Sequence, residues 1–145
     1  MNSTKRSIET FALLVENSTK VPDRTVAAAI SDDLFQSLDI LRMEPKNRRL
    51  LLQFVYVIRA FETSLQQSVE YHNVGIGGSG SLAAYLNALG SKTVAVIPRG
   101  LKDDCYRDVG QFRNDCFHKA ATYLSDETHF RKLLGLILAC LHWTV

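Results

Sequence analysis

Residues 46–71 read KNRRLLLQFVYVIRAFETSLQQSVEY, and their periodicity decides the fold. Leu51, Phe54, Val55, Ile58, Phe61, Leu65 and Val69 recur at steps of three and four, the apolar face of an α-helix. Leu50, Leu52 and Val57 widen that stripe. A helix apolar over so much of its circumference must be covered on several sides. The spacing therefore predicts a long central helix from about Pro45 or Lys46 to Tyr71. Arg59 and Glu62 interrupt the stripe one turn apart. They read either as an i,i+3 ion pair on an exposed edge, or as a placement of Glu62 toward a pocket at Arg113 and His118 further along the chain.

Upstream, Ile8, Phe11, Ala12 and Val15, with Leu14 beside them, give a first helix. It starts at Ser3, Thr4 or Ser7 and runs to about Asn17. After a loop over residues 17–20, Pro22 suits the first turn of a second helix, where its missing N–H costs nothing. Val26, Ile30, Leu34, Leu38 and Leu41 line this helix, which ends before Pro45.

Downstream, residues 73–81 read NVGIGGSGS. Gly75, Gly77 and Gly80 fit the G-x-G-x-x-G spacing of dinucleotide sites, but a helix precedes them where that site needs a strand. No Gly-Lys-Ser/Thr follows either, so the segment reads as a flexible turn whose freedom can serve a neighbouring site. Ser81 caps a short helix carrying Leu82, Tyr85, Leu86 and Leu89, and Gly90 stops it. Residues 93–97 alternate in β-branched fashion but have no second strand pattern to pair with. They are expected as extended or helical packing material, punctuated by Pro98 and Gly100. Ser125 or Asp126 caps a last helix with Phe130, Leu133, Leu134, Ile137, Leu138 and Leu141 on its stripe. The expected fold is all-α: one domain over 1–145, a bundle of about five or six helices with a Gly-rich loop in its middle.

A chain of 145 residues buries a real core without staples, and 46% hydrophobic with 22% charged residues is ordinary for a soluble domain. A net charge of +2 is too small to argue for nucleic acid by itself. Cys105, Cys116 and Cys140 are odd in number and form no C-x-x-C pair, which fits free thiols in a reducing cytoplasm. Cys105, Cys116, His118 and His129 lack the closely spaced pairs that zinc prefers, and no compact carboxylate cluster suits magnesium. No cofactor or metal is therefore expected. Cys116 falls on a buried stripe, where a thiol is inert, and His72, His129 and His142 read as capping or surface residues. No signal-peptide core is present, and the apolar run 133–145, broken by Gly135 and His142, is too short for a bilayer. The expected protein is soluble and cytoplasmic, with no membrane partner.

The chemistry gathers in Phe112-Arg113-Asn114-Asp115-Cys116-Phe117-His118. Val109, Phe112, Cys116, Ala120 and Leu124 recur at helical spacing, leaving Arg113, Asn114, Asp115, His118 and Lys119 off the stripe. Asn114 and His118 are four apart, so an amide can orient an imidazole on a shared face. Arg113 lies about 140° round from His118 on an ideal helix, but its length lets it bend toward the same pocket. A fixed cation, a titratable imidazole and an amide suit phosphodiester chemistry. Basic and acidic residues nearly cancel between Arg99 and Lys119. That pattern is a solvated face; the functional alternative has Arg99, Lys102, Arg107 and Lys119 contacting phosphates.

With ten arginines and four histidines in the chain, a bare R-x-x-x-x-H carries little information. The fuller R-N-x-x-x-H, Arg113 to His118 late in a small helical chain, resembles the signature of the HEPN superfamily. Helix number and order extend the resemblance over most of the chain. It implies a metal-independent endoribonuclease of toxin–antitoxin or antiphage defence systems, cleaving RNA by attack of a 2′-hydroxyl on the adjacent phosphate. By the same resemblance Arg113, Asn114 and His118 are catalytic, with Glu62, Lys119 and Arg107 in support. His118 would move the proton, Arg113 would stabilise the phosphorane, and Asn114 would hold His118 or the phosphate. The implied partners are RNA, a second copy of the chain, and an antitoxin or regulatory protein. One motif supplies one imidazole, whereas the reaction needs a base and an acid, so a two-fold homodimer with facing motifs is expected. One subgroup carries a tyrosine two residues after the histidine for nucleotide modification. Ala120 stands there and Tyr123 is a weak substitute, which argues against such regulation. The other function the residues permit is a non-catalytic helical module that binds nucleotide or a regulatory protein.

Overall fold

In the computed structural model, which describes residues 3–40, 46–78, 80–119 and 127–145, the stripe at 46–71 forms one helix, α3 (Lys46–Tyr71). Before it come α1 (Ser3–Glu16) and α2 (Arg24–Asp39). After it come α4 (Leu82–Leu89), α5 (Arg99–Cys105), a π-helical turn (Tyr106–Gly110), α6 (Gln111–His118) and α7 (Glu127–Thr144). Tyr106 and Gln111 keep right-handed helical backbone at both junctions, so α5, the π turn and α6 form one rod. The described residues thus make six helical rods and no strand, the all-α bundle expected.

Four helices close a ring: α1 packs on α2, α2 on α3, α3 on α7 and α7 on α1. Phe11, Leu34, Phe54, Phe61, Phe130 and Ile137 fill it with no exposed surface. Each such side chain stabilises by about 1.5–3 kcal/mol on burial. Two cross-links brace its edges. Arg24 donates to the carbonyls of Glu16 and Val21 at 2.8 and 3.1 Å, tying the α1–α2 turn. Gln53, fully buried on α3, donates to the Ser37 carbonyl of α2 at 3.1 Å.

Outside the ring, α4 packs on α3 and α5 packs on α7. No residue of α6 is fully buried. Phe112 anchors this helix, meeting Phe54 edge-on at 5.1 Å and the His129 ring at 4.9 Å. The motif helix therefore sits on the rim of the bundle.

Several local expectations change. Pro22 precedes α2 instead of opening it, because Asp23 is the N-cap: its Oδ1 accepts from the Thr25 and Val26 amides at 3.0 and 3.3 Å. Leu52 stays 38% exposed, since its neighbours Gln53 and Phe54 turn inward. Residues 93–97 form turns: the Ala95 N–H donates to Ser91 O at 2.9 Å and the Ile97 N–H to Leu89 O at 3.0 Å, burying Ile97. Gly100 lies inside the first turn of α5, and the charged run after it belongs to the motif rod. Leu101, Cys105 and Val109 step by four twice, which drifts off a 3.6-residue period; the wider π turn absorbs the drift. Leu41 and Pro45, and the segment 120–126 with Ala120, Tyr123, Leu124, Ser125 and Asp126, lie outside the described residues. Among the described residues no helix is long and apolar enough to cross a membrane.

Candidate functional site

Arg59 and Glu62 do not pair with each other. Arg59 reaches across to α2 and donates from Nε and Nη2 to both oxygens of Asp33, a contact that raises its pKa. Glu62 is left to serve α6. Arg113 donates from Nε to Glu62 Oε1 at 2.9 Å, with the two side chains 27% and 25% exposed. A longer bond of 3.4 Å runs from Arg113 Nη1 to Asn114 Oδ1, and the guanidinium lies 4.6 Å from the centre of the Phe117 ring. A cation over an aromatic face adds about 0.5–1 kcal/mol at an exposed site. Three contacts thus fix the direction of one arginine on the rim.

Arg113 and Asn114 line a cleft of about 190 Å³ between the π turn, α6 and the start of α4. Ser81 forms the facing wall and caps α4, its Oγ accepting from the Ala84 amide at 3.1 Å. A π turn places the following helix about one residue out of phase, roughly a 100° rotation, with an uninterrupted α-helix. The face that α6 offers to α4 is therefore set by residues 106–110.

His118 is the last residue of α6 and is exposed. It does not line the cleft, and among the described residues no hydrogen bond reaches its side chain. Asn114 Oδ1 faces Arg113 instead of orienting the imidazole. Glu62, Arg113 and Asn114 are thus gathered, while His118 stands one turn further along on open surface. The flanking cations are engaged by carboxylates: Lys119 lies 3.3 Å from Asp115, and Arg107 lies 3.0 Å from Asp108 and 3.2 Å from Asp104. The Arg107 hydrogen bond holds the Asp108 carboxyl below its usual value. Arg107 and Lys119 stay exposed in these pairs, whereas the Lys102 side chain, paired with Asp103, is largely covered.

Other features were not legible in advance. A Cβ on Gly80 would collide with the Tyr85 hydroxyl, so the last glycine of the loop exists to seat that ring. Burial raises the Tyr85 pKa, and Glu62 and Glu70 raise it further, which puts the phenol in the electrostatic neighbourhood of the Arg113 partner. A second cleft of about 210 Å³, lined by Arg107, Asp108, Asp115, His129 and Lys132, shares Gln111 with the first. His129 packs its ring on Phe112, a contact that sequence spacing does not signal. The His72 Nε2 is buried without a hydrogen-bond partner, and burial followed by Lys20 lowers its pKa.

The three cysteines carry no disulfide. Burial pushes the Cys116 thiol up to about 11, and a hydrogen bond with Cys140 together with burial raises that of Cys105, so neither is an activated nucleophile. Among the described residues no three His, Cys, Asp or Glu side chains converge as a metal site. Comparison of the chain with family models, with curated proteins and with solved structures finds no match.

Proposed function

We propose that this chain is a metal-independent endoribonuclease of the HEPN type, a toxin or antiphage effector, that cleaves RNA by 2′-hydroxyl attack at a homodimer interface. The observation that carries this reading is the Arg113 guanidinium, held by Glu62 at 2.9 Å, lining a cleft and beginning an R-N-x-x-x-H sequence. A guanidinium with a fixed direction can stabilise charge developing on a phosphorane without reorganising. His118, exposed on the last turn of α6, is open to a substrate and to a partner's motif. An imidazole near neutral pH can take the 2′-hydroxyl proton, and a second copy can protonate the leaving 5′-oxygen. Phe117, 50% exposed on the same rod, supplies apolar surface for the two-fold contact.

The test is cleavage of RNA by purified protein. Arg113→Ala and His118→Ala should each abolish it while far-UV circular dichroism stays unchanged, and Asn114→Ala should weaken it less. Excess His118→Ala protein, allowed to exchange subunits, should poison the parent enzyme. Undiminished cleavage by either single variant would overturn the assignment.

One observation favours a non-catalytic module instead. Glu62 offsets the Arg113 charge, which suits a surface that binds nucleotide or a regulatory protein without chemistry. RNA bound tightly but left intact would favour that alternative.

A further inference from the structure

We infer that the cleft between the π turn, α6 and the start of α4 receives one unstacked base of single-stranded RNA, stacked on Tyr106 and read by the amides of Gln111 and Asn114. The inference rests on the ribonuclease reading for its substrate class, and it assigns the specificity-determining part of that site.

Size comes first. Pockets for drug-sized ligands run about 300–1,000 Å³. At about 190 Å³ this cleft is smaller and suits one flat ring system, with the rest of the strand left outside.

Its lining has the chemistry of base recognition. Tyr106 offers a half-exposed aromatic face at the wall, the surface on which an unstacked base settles. Gln111, shared by the two clefts, donates from Nε2 to Asp115 Oδ1 at 3.2 Å on the side of the second, which leaves Oε1 to accept. Asn114 takes the Arg113 bond on Oδ1 at 3.4 Å, leaving its Nδ2 to donate. Gln111 and Asn114 thus put one acceptor and one donor on the lining of the cleft, the kind of groups that the edge of an unstacked base meets. Gly110 lies in the same wall, and a Cβ there would meet no atom nearer than the Cys105 carbonyl at 4.0 Å, so its bareness serves the cleft and not the packing.

Position supplies the link to cleavage. Arg113 lines the cleft and begins the catalytic motif, so a base seated there belongs to a nucleotide flanking the scissile phosphate. A base inside a duplex cannot enter such a cleft; a base in a loop or single strand can.

The experiment uses the full chain and non-cleavable 2′-O-methyl trinucleotides with A, C, G or U at the centre, followed by fluorescence anisotropy. A parallel arm maps cleavage sites on a random single-stranded RNA pool. Wild-type protein should prefer one central base and show the same preference at one position beside the cut. Tyr106→Ala should weaken binding of the preferred trinucleotide by about tenfold, the loss of a stacking contact. Gln111→Ala should level the four bases, and Gly110→Ala, which clashes with nothing, should shut the base out. Circular dichroism confirms that these surface variants fold.

Equal binding of all four trinucleotides by wild type, no binding at all, or a preference unchanged in Tyr106→Ala and Gln111→Ala would overturn the subsite. So would mononucleotides binding as tightly as trinucleotides, which would make this a free-nucleotide pocket. The two readings fail separately. Base-selective binding without cleavage sinks the ribonuclease and keeps the subsite, whereas cleavage indifferent to Tyr106 and Gln111 does the reverse.

Discussion

The ion pair between Glu62 and Arg113 joins the central helix to the motif helix, and its strength can be worked out. At 2.9 Å the gross attraction is about 1.4 kcal/mol at the permittivity of water and about 6 kcal/mol at that of a protein surface. Exposures of 27% and 25% leave solvent to screen the pair, and ordering two long side chains offsets more of it. A net coupling of about 1 kcal/mol remains, at the top of the range for exposed pairs. Glu62→Ala, Arg113→Ala and the double variant measure it by urea unfolding followed by far-UV circular dichroism. The contact of Arg113 with Phe117 is lost in both arms of the cycle and cancels. Strictly additive single effects, with a coupling under about 0.3 kcal/mol, would refute the claim that a carboxylate on α3 holds this arginine.

Gly80→Ala should destabilise by about 1–3 kcal/mol, the usual cost of forcing an extra methyl into a packed site. Tyr85→Phe in the same background should recover part of that loss in urea midpoints, because the hydroxyl is the colliding atom; equal losses in both backgrounds would contradict the contact. His72 predicts a pH effect. Burial and Lys20 lower its pKa in the folded chain, so the unfolded chain binds the proton more readily. The stability this contributes is complete above about pH 6.5 and is lost as pH falls through the lower folded-state value. His72→Gln should flatten the stability profile on the acid side of neutrality, and an unchanged slope would count against the lowered pKa.

The central helix was legible because its stripe is long and dense: Phe54, Ile58, Phe61 and Leu65 could face only a core. The short helix α4 was legible from punctuation, with Ser81 at one end and Gly90 at the other. Glu62 was a different case. Local spacing left two partners open, Arg59 one turn away and the pocket at Arg113, and tertiary packing, which gave Arg59 to Asp33, decided for Arg113. The same limit hid Asp23 behind Pro22, since a cap depends on which amides it can reach. The π turn left a trace in the repeated steps of four at 101, 105 and 109, but its rotation of α6 is a geometric consequence that no single residue announces. Tyr106 and Gln111 therefore passed unnoticed just ahead of the motif, although they line the same cleft as Arg113.

The most direct test of the functional account is the chemistry of the cut ends in the presence of EDTA. Attack by the 2′-hydroxyl, with His118 moving the proton and Arg113 holding the phosphorane charge, leaves a 2′,3′-cyclic phosphate on one fragment and a 5′-hydroxyl on the other. The account predicts those ends, undiminished by chelation and absent with His118→Ala. Cleavage that stops in EDTA, returns with Mg²⁺ and leaves 5′-phosphate ends would contradict it.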